Sequence, residues 1–256
     1  MSKLGPFESR PHIAVALSGG ADSTAMLHLL SDWSKICEAK ITALIVDHKL
    51  RLNSTTEALL VKQRTQELDI ECYILTWEDA KPSGGIQAAA REARYNLLGN
   101  WCSSHGVLHL LVAHNRDDQK ETVFMRSMHG SGEFGLAGMT AQRQMGWGRI
   151  IRPCLRFSGA SLRRYLQEKG LAWIEDPSNL DTRFERVRIR RELNNRVDYE
   201  ELDNASLTAI RGAIEHKTSK FLAGAAMIFN TGYATVDLAA LIRSPSDIGQ
   251  RVLGDL

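Results

Sequence analysis

Four short apolar runs rich in β-branched residues, His12 to Leu17, Ile41 to Val46, Cys72 to Trp77 and Leu108 to Ala113, alternate with helical periodicity over the first 150 residues. The helical stretches lie at about Thr24 to Glu38, Thr55 to Leu68, Ile86 to Cys102 and Asp118 to Met128. Strands that are apolar almost throughout need cover on both faces, and a helical crossover between parallel strands supplies it. The pattern therefore predicts an α/β fold with a doubly wound, mainly parallel sheet. In such sheets ligands bind beyond the carboxyl ends of the strands. Ser18 to Ser23, Asp47 to Arg51 and His114 to Asp118 all fall there.

Further on, Arg149 to Arg152 reads as another strand, Gly159 to Lys169 as a helix and Asp181 to Asn195 as a strongly basic helix. After Tyr199 the pattern is wholly helical at Ala205 to Phe229, and Pro245 to Leu256 reads as the start of a helix capped by Ser246. A chain of 256 residues suits one large domain plus a smaller piece. The expected division is a catalytic domain over 1–200 and a helical region over 201–256, the start of a truncated further domain.

No apolar stretch approaches the roughly 20 residues of a spanning helix, and the N-terminus lacks the plan of a secretory signal. A cytoplasmic location is expected. Cys37, Cys72, Cys102 and Cys154 are too far apart for a Cys-x-x-Cys pair and too few for a disulfide framework. The net charge is only +2, but 13 Lys/Arg stand against 6 Asp/Glu between Arg143 and Arg196. A basic segment on a mildly acidic body suits a polyanion; the plainer alternative is a solvated helix face.

The strongest chemical signal is Ser18-Gly19-Gly20-Ala21-Asp22-Ser23, which follows the first strand and opens the first helix. Two glycines let the backbone approach a ligand, and free amides at a helix N-terminus form an anion nest. No lysine follows, so a divalent ion or nearby basic groups must balance phosphate charge. Asp22 suits Mg²⁺, which is commonly held by one or two carboxylates together with substrate phosphates; alternatively Asp22 or Ser23 simply caps the helix. A Gly-x-Gly-x-x-Gly at Gly130, Gly132 and Gly135 follows a helix instead of a strand, the wrong context for a dinucleotide, and reads as a flexible loop.

At the end of the fourth strand, Asp118 and Glu121 have capping-box spacing, which leaves His114 and the adjacent carboxylates Asp117 and Asp118 to explain. A metal-binding or acid/base role suits His114 and Asp118 where the first loop would deliver phosphates. Arg94 borders the apolar stripe of its helix, able either to snorkel or to clamp a phosphate. Arg183, Arg186 and Arg190 share one helical face, with Arg188 and Arg191 beside them, suited to a nucleic-acid backbone or to local ion pairs. Tyr165, Trp173 and Phe184 could stack on bases but read better as core.

Taken together, these residues resemble the N-type ATP pyrophosphatases, the PP-loop superfamily, and within it the tRNA(Ile)-lysidine synthetases. The resemblance runs from about His12 to Arg191. It rests on Ser18 to Ser23, Val46-Asp47-His48-Lys49-Leu50-Arg51, Ala113 to Thr122, and Trp173-Ile174-Glu175-Asp176-Pro177-Ser178-Asn179 through Arg190, with Arg152-Pro153 and Arg91 to Tyr95. It implies adenylation of the wobble cytidine of the CAU-anticodon isoleucine tRNA by ATP with Mg²⁺, then displacement of AMP by the ε-amine of free L-lysine. By matching positions, Ser18, Gly19, Gly20, Ala21, Asp22 and Ser23 would cradle the phosphates, and Val46 and Asp47 would hold the adenosine. Asp22 and Asp118 would meet the metal or the amine, His114 and Arg94 would line the adenylation site, and Arg186 and Arg190 would face tRNA. Two departures stand out: Asn115 occupies a place where the family commonly has a second His, and the chain ends near where family members continue into helical and tRNA-binding domains. Other readings are a sulfur-transferring tRNA enzyme of the same superfamily, disfavoured by the missing Cys-x-x-Cys, a small-molecule ligase, and an RNA- or ATP-binding module inactive through truncation. The sequence fixes no oligomeric state, a homodimer being one option.

Overall fold

In chain order the elements of the computed structural model are β1 (His12–Ala16), α1 (Ala21–Cys37), β2 (Lys40–Asp47), α2 (Ser54–Gln66), β3 (Glu71–Thr76), α3 (Ile86–Ser104), β4 (His109–Leu111) and α4 (Arg116–Met128). Then follow α5 (Glu133–Leu136), β5 (Gln142–Met145), β6 (Gly148–Ile151), α6 (Gly159–Glu168), α7 (Glu185–Asn194), α8 (Asn204–Ala225), β7 (Ala226–Ile228), β8 (Ala234–Val236) and α9 (Leu238–Arg243). The structure describes residues 1, 4–131, 133–175, 185–194, 204–229, 231, 233–245, 248–249 and 252–253.

The main sheet runs β3-β2-β1-β4-β6-β5, with β3, β2, β1, β4 and β6 parallel and β5 antiparallel on the edge. The chain winds outward from β1 in one direction through β2 and β3, then returns to lay β4 and β6 on the other side. That reversal between β1 and β4 is the topological switch point, where ligands of such sheets generally bind. The expected doubly wound sheet is therefore present.

Side chains alternate across the sheet as strand geometry requires. Ile13, Val15, Ile41, Ala43, Ile45, Leu111 and Ile151 pack on one face with Ala25, Met26 and Leu30 of α1, Val61 of α2 and Leu162 and Leu166 of α6. Ala14, Ala16, Leu44, Leu110 and Ile150 point the other way, against Leu98, Trp101 and Cys102 of α3. Tyr165 and Trp173 pack against the first of these clusters, so both aromatics are core.

Two compact units divide the chain: one comprises residues 1–118 and 141–181, the other 119–140 and 182–256. The first contains the six-stranded sheet. In the second, Ile214, Ile248 and Val252 form a small core with Phe221, Leu222 and Leu241 packed on it.

Two sequence expectations need correction, and two others fall partly on residues outside those described. The stretch Ala205 to Phe229 is not wholly helical, because α8 ends at Ala225 and β7 pairs antiparallel with β8. The glycine-containing segment after α4 is no flexible loop: it includes the helical turn α5, and Arg126 Nη1 donates to the carbonyls of Gly135 at 2.8 Å and Gly138 at 3.0 Å. Gln119 brackets Met139 there by two further hydrogen bonds. The basic helix starts at Glu185 among the described residues, and Ser246 lies outside them.

Candidate functional site

The segment from Ser18 to Ser23 turns from β1 into α1 around Gly19, whose φ of +82° lies in the left-handed region. A Cβ there would meet Val61 Cγ2 at 2.4 Å, so the turn needs glycine on two counts. Ser18 and Ser23 hydroxyls lie 3.0 Å apart, Ser23 Oγ donates to Gly20 O, and Gly19 O accepts from the Ile174 amide at 2.8 Å. Gly20 is the N-cap of α1 and no side chain caps it. Neither Asp22 nor Ser23 is the cap, and the turn has the form of an anion nest.

The segment His114 to Asp118 meets this loop through Asn115. Asn115 is the N-cap of α4: its Oδ1 accepts from the amides of Asp117 at 2.8 Å and Asp118 at 3.0 Å, while its own amide donates to Asp118 Oδ2 at 3.0 Å. This reciprocal pair is a capping box, so the box joins Asn115 to Asp118 and not Asp118 to Glu121 as the spacing suggested. The remaining Asn115 donor, Nδ2, reaches Asp22 Oδ2 at 3.0 Å. One buried amide thus fixes α4 and ties its carboxylates to the α1 loop. Asp117 Oδ2 in turn accepts from the Gly159 amide at 2.9 Å, bringing in the start of α6. A Cβ at Gly159 would stand 3.2 Å from both Asn115 Nδ2 and Asp117 Oδ2, so glycine leaves room for this cluster.

Asp22 Oδ1 is buried with no hydrogen-bond partner. Burial first, and then the neighbouring Asp118 charge, raise the Asp22 carboxyl above its ordinary value, with Asn115 and Arg163 only partly opposing. A buried carboxylate oxygen of this kind, next to a second carboxylate, fits a small hard cation. Among the described residues no three Asp, Glu, His or Cys groups converge as a cage.

Arg94 lies half-buried on α3, where burial lowers its guanidinium below the usual value and the Asp118 charge works in the other direction. The same guanidinium lowers His48, second to burial. His48 Nδ1 is buried without a partner, and the ring meets Trp77 edge to face with centroids 5.9 Å apart. His114 accepts at Nδ1 from Arg152 Nε at 3.2 Å. Arg152 is only 6% exposed and also bonds Tyr95.

Asp47 occupies the end of β2, but its carboxylate is engaged locally: Oδ1 accepts from the Lys49 amide at 2.9 Å and Oδ2 from Thr55 Oγ1 at 2.6 Å. Burial would raise its carboxyl, yet these bonds outweigh it and hold the group below its ordinary value. Val46 beside it is half-buried in register with Leu75.

The structure thus draws Ser18 to Ser23, Asp22, Arg94, His114 and Asp118 into the first unit. The arginine set belongs to the second. Val187 and Ile189 of α7 are buried while Arg188 and Arg191 are exposed. Arg190 Nε donates to Oε1 of the buried Glu121 at 2.6 Å, so it braces the second unit. Arg183 lies outside the described residues, as does the segment from Asp176 to Asn179. Sequence reasoning passed over His48, Asn115, Asp117, Arg152 and Gly159 as site residues, since only tertiary pairing reveals them. It also gave Glu121 a cap role that the fold assigns elsewhere.

Cys72, Cys102 and Cys154 are buried, and burial pushes the thiols of Cys102 and Cys154 up to about 12. No described helix is long and apolar enough to cross a membrane.

Comparison with known proteins matches residues 2–197 to the PP-loop domain. The chain is 33% identical to the tRNA(Ile)-lysidine synthase of Orientia tsutsugamushi over 93% of its own length and 56% of that protein's. It is 37% identical to the enzyme of the same name from Wolbachia pipientis, over 94% and 58%, and 41% identical to that of Rhodopseudomonas palustris, over 81% and 61%. The chain therefore spans little more than half the length of these curated relatives. Among solved structures, the U34-tRNA thiolase NcsA of Methanococcus maripaludis superposes with a TM-score of 0.67 at 18% identity, covering 84% of this chain and 76% of that one, a likeness of fold. With a glycine turn between β1 and α1 of a doubly wound sheet and a match extending over residues 2–197, the chain belongs to the PP-loop domain family.

Proposed function

We propose that this chain is an ATP-dependent tRNA ligase that joins L-lysine to C2 of the wobble cytidine in the CAU-anticodon isoleucine tRNA. The observation that carries this reading is the junction of the uncapped α1 turn with Asp22, Asn115 and Asp118, in a chain whose curated relatives are lysidine synthases. Residues 1–200 would form the catalytic domain and 201–256 a mainly helical region that also carries the β7–β8 hairpin, in a cytoplasmic enzyme. A homodimer would be compatible with this division.

In the first step, cytidine O2 attacks the α-phosphorus and the bond to pyrophosphate breaks. The Ser18 to Ser23 amides hold phosphate oxygens at the helix N-terminus, where the dipole favours negative charge. Val46 and Asp47 shape the adenosine side, Asp47 chiefly by fixing the backbone after β2. Arg94 places fixed positive charge near the reacting phosphate, and His114 lines the same site. Asp22 and Asp118 would hold Mg²⁺, which supplies charge neutralisation on the leaving pyrophosphate. In the second step the ε-amine of lysine bonds to C2 and AMP departs, the amine proton leaving with the released groups or solvent. Exposed Arg188 and Arg191, together with Arg183 and Arg186, would supply phosphate-backbone contacts, while Arg190 stays on Glu121.

A sulfur-transfer reaction is disfavoured, because the buried thiols with raised values are poor nucleophiles and poor cluster ligands. The test is pyrophosphate release with ATP, Mg²⁺ and a CAU-anticodon isoleucine transcript, with lysine, another amino acid or neither, beside Asp118→Ala. Release that needs this RNA, with lysine appearing only in its wobble cytidine, is the expected result. Release without RNA would indicate a small-molecule ligase, and no release with intact binding would indicate a nucleotide- or RNA-binding module.

A further inference from the structure

We propose that Arg152 is a positioning residue that fixes the tautomer of His114, making Nε2–H a hydrogen-bond donor in the site and withholding the ring as a base. The inference rests on the reading of His114 as a residue of the adenylation site.

An arginine side chain carries five N–H donors and no acceptor, and it does not deprotonate in proteins. The contact from Arg152 Nε to His114 Nδ1, 3.2 Å long, therefore requires the lone pair to be on Nδ1. A neutral imidazole has one N–H and one lone pair, so the proton resides on Nε2. Arg152 is not free to choose another pose: it is almost fully buried, its side chain also bonds Tyr95, and its amide donates to Ala141 O at 2.8 Å. Its place is set by β6, which ends at Ile151 beside β4, where Val112 N donates to Ile151 O at 3.0 Å.

The same sheet builds this device a second time, at the other end of the same two strands. His109 pairs in register with Arg149, and Arg149 Nε donates to His109 Nδ1 at 2.9 Å. There the consequence can be read directly, because His109 Nε2 lies 2.6 Å from Glu8 Oε2 and donates to that carboxylate. Arg149 is held further by Gln142 Oε1 at 2.7 Å and by the Pro6 carbonyl. One Arg–His pair closes the amino end of the strands against the N-terminal segment. The other stands at the carboxyl end, beside Asn115 and Asp118, where a donor is useful to an anionic substrate. A ring that carries its proton on Nε2 and accepts at Nδ1 can stabilise developing negative charge without any proton leaving it.

The test uses the full chain labelled with ¹⁵N-histidine and two-bond proton–nitrogen correlation spectra, which distinguish Nε2–H from Nδ1–H rings. His114→Gln identifies the His114 signal among the eight histidines, and His109 serves as an internal monitor of the β4–β6 pairing. The expected wild-type result is an Nε2–H pattern for both rings. Arg152→Met should give a mixed His114 tautomer with His109 unchanged, and should slow pyrophosphate release by about 10- to 100-fold, the usual scale for loss of an orienting partner, with little change in KM for ATP. Arg152→Lys, whose ammonium also only donates, should restore the Nε2–H form and part of the rate. An Nδ1–H ring in the wild type would overturn the proposal, as would an unaltered His114 tautomer in Arg152→Met with His109 intact. Should Arg152→Met disturb His109, the wild-type and Arg152→Lys spectra decide, because both must then show Nε2–H at His114. A wild type that releases no pyrophosphate with any RNA would sink the functional reading, while the spectra would still judge the tautomer.

Discussion

A carboxylate half-buried beside a second carboxylate works against its own ionisation, and at Asp22 the amide of Asn115 offsets that only in part. Because its value is raised above the ordinary 3.8, the folded protein holds the Asp22 proton more tightly than the unfolded chain does. Its contribution therefore favours the fold below the ordinary value and fades as pH rises through the raised one, leaving the ionised group a cost at neutral pH. Asp22→Asn should accordingly raise the Tm of the nucleotide-free protein at pH 7, by about 2 °C or more, with the gain vanishing toward pH 4. The same change should cut pyrophosphate release by on the order of 100-fold or more, the scale of losing one preorganised electrostatic group. Calorimetry across pH, together with the release assay, checks both halves; a lower Tm at neutral pH would show that Asp22 is a structural anchor.

At the scale of elements, α4 is the piece that gives the site its acid pair, and its start depends on a single side chain. Asn115→Ala removes the capping box and should cost about 1 kcal/mol in urea denaturation. Asn115→Asp keeps an oxygen for the α4 amides but turns a third carboxylate toward Asp22. Its deficit should be larger at pH 7 than at pH 5, where a pure cap loss would show no such trend. The strands and crossovers from His12 to Met128 were legible because each strand is apolar almost throughout and each helix carries a periodic stripe. β5 was not legible, since Gln142–Met145 is a polar edge strand without alternation. β7 was hidden because Ala226–Ile228 continues the apolar composition of α8, and only its pairing with β8 makes it a strand. In the site, the glycine turn was legible from local chemistry, whereas Asn115, Gly159 and Arg152 acquire their roles from partners in distant segments.

For the molecule as a whole, a modest net charge of +2 conceals a basic stretch whose arginines do unlike things. Arg191 is exposed on α7 while Arg190 is engaged with the buried Glu121. Arg191→Gln should leave stability within about 0.5 kcal/mol and lower the slope of log affinity against log salt for tRNA by about 0.7–0.9, one phosphate contact's share. Arg190→Gln should instead cost about 2 kcal/mol in denaturation, the scale of a hydrogen bond to a charged group. Equal effects of the two substitutions on stability, measured with urea titrations and binding at several salt concentrations, would refute this division of labour. The sheet's winding also has a consequence for how the chain is made. β1, whose Ile13, Ala14 and Val15 are wholly enclosed, has β2 on one side and β4 on the other, and β4 is encoded only after two more crossovers. During synthesis the ribosome therefore delivers the glycine turn well before Asp117 and Asp118. Until His109–Leu111 emerges, the nascent half-sheet carries a raw apolar border that chaperones, or a neighbouring chain, can reach first.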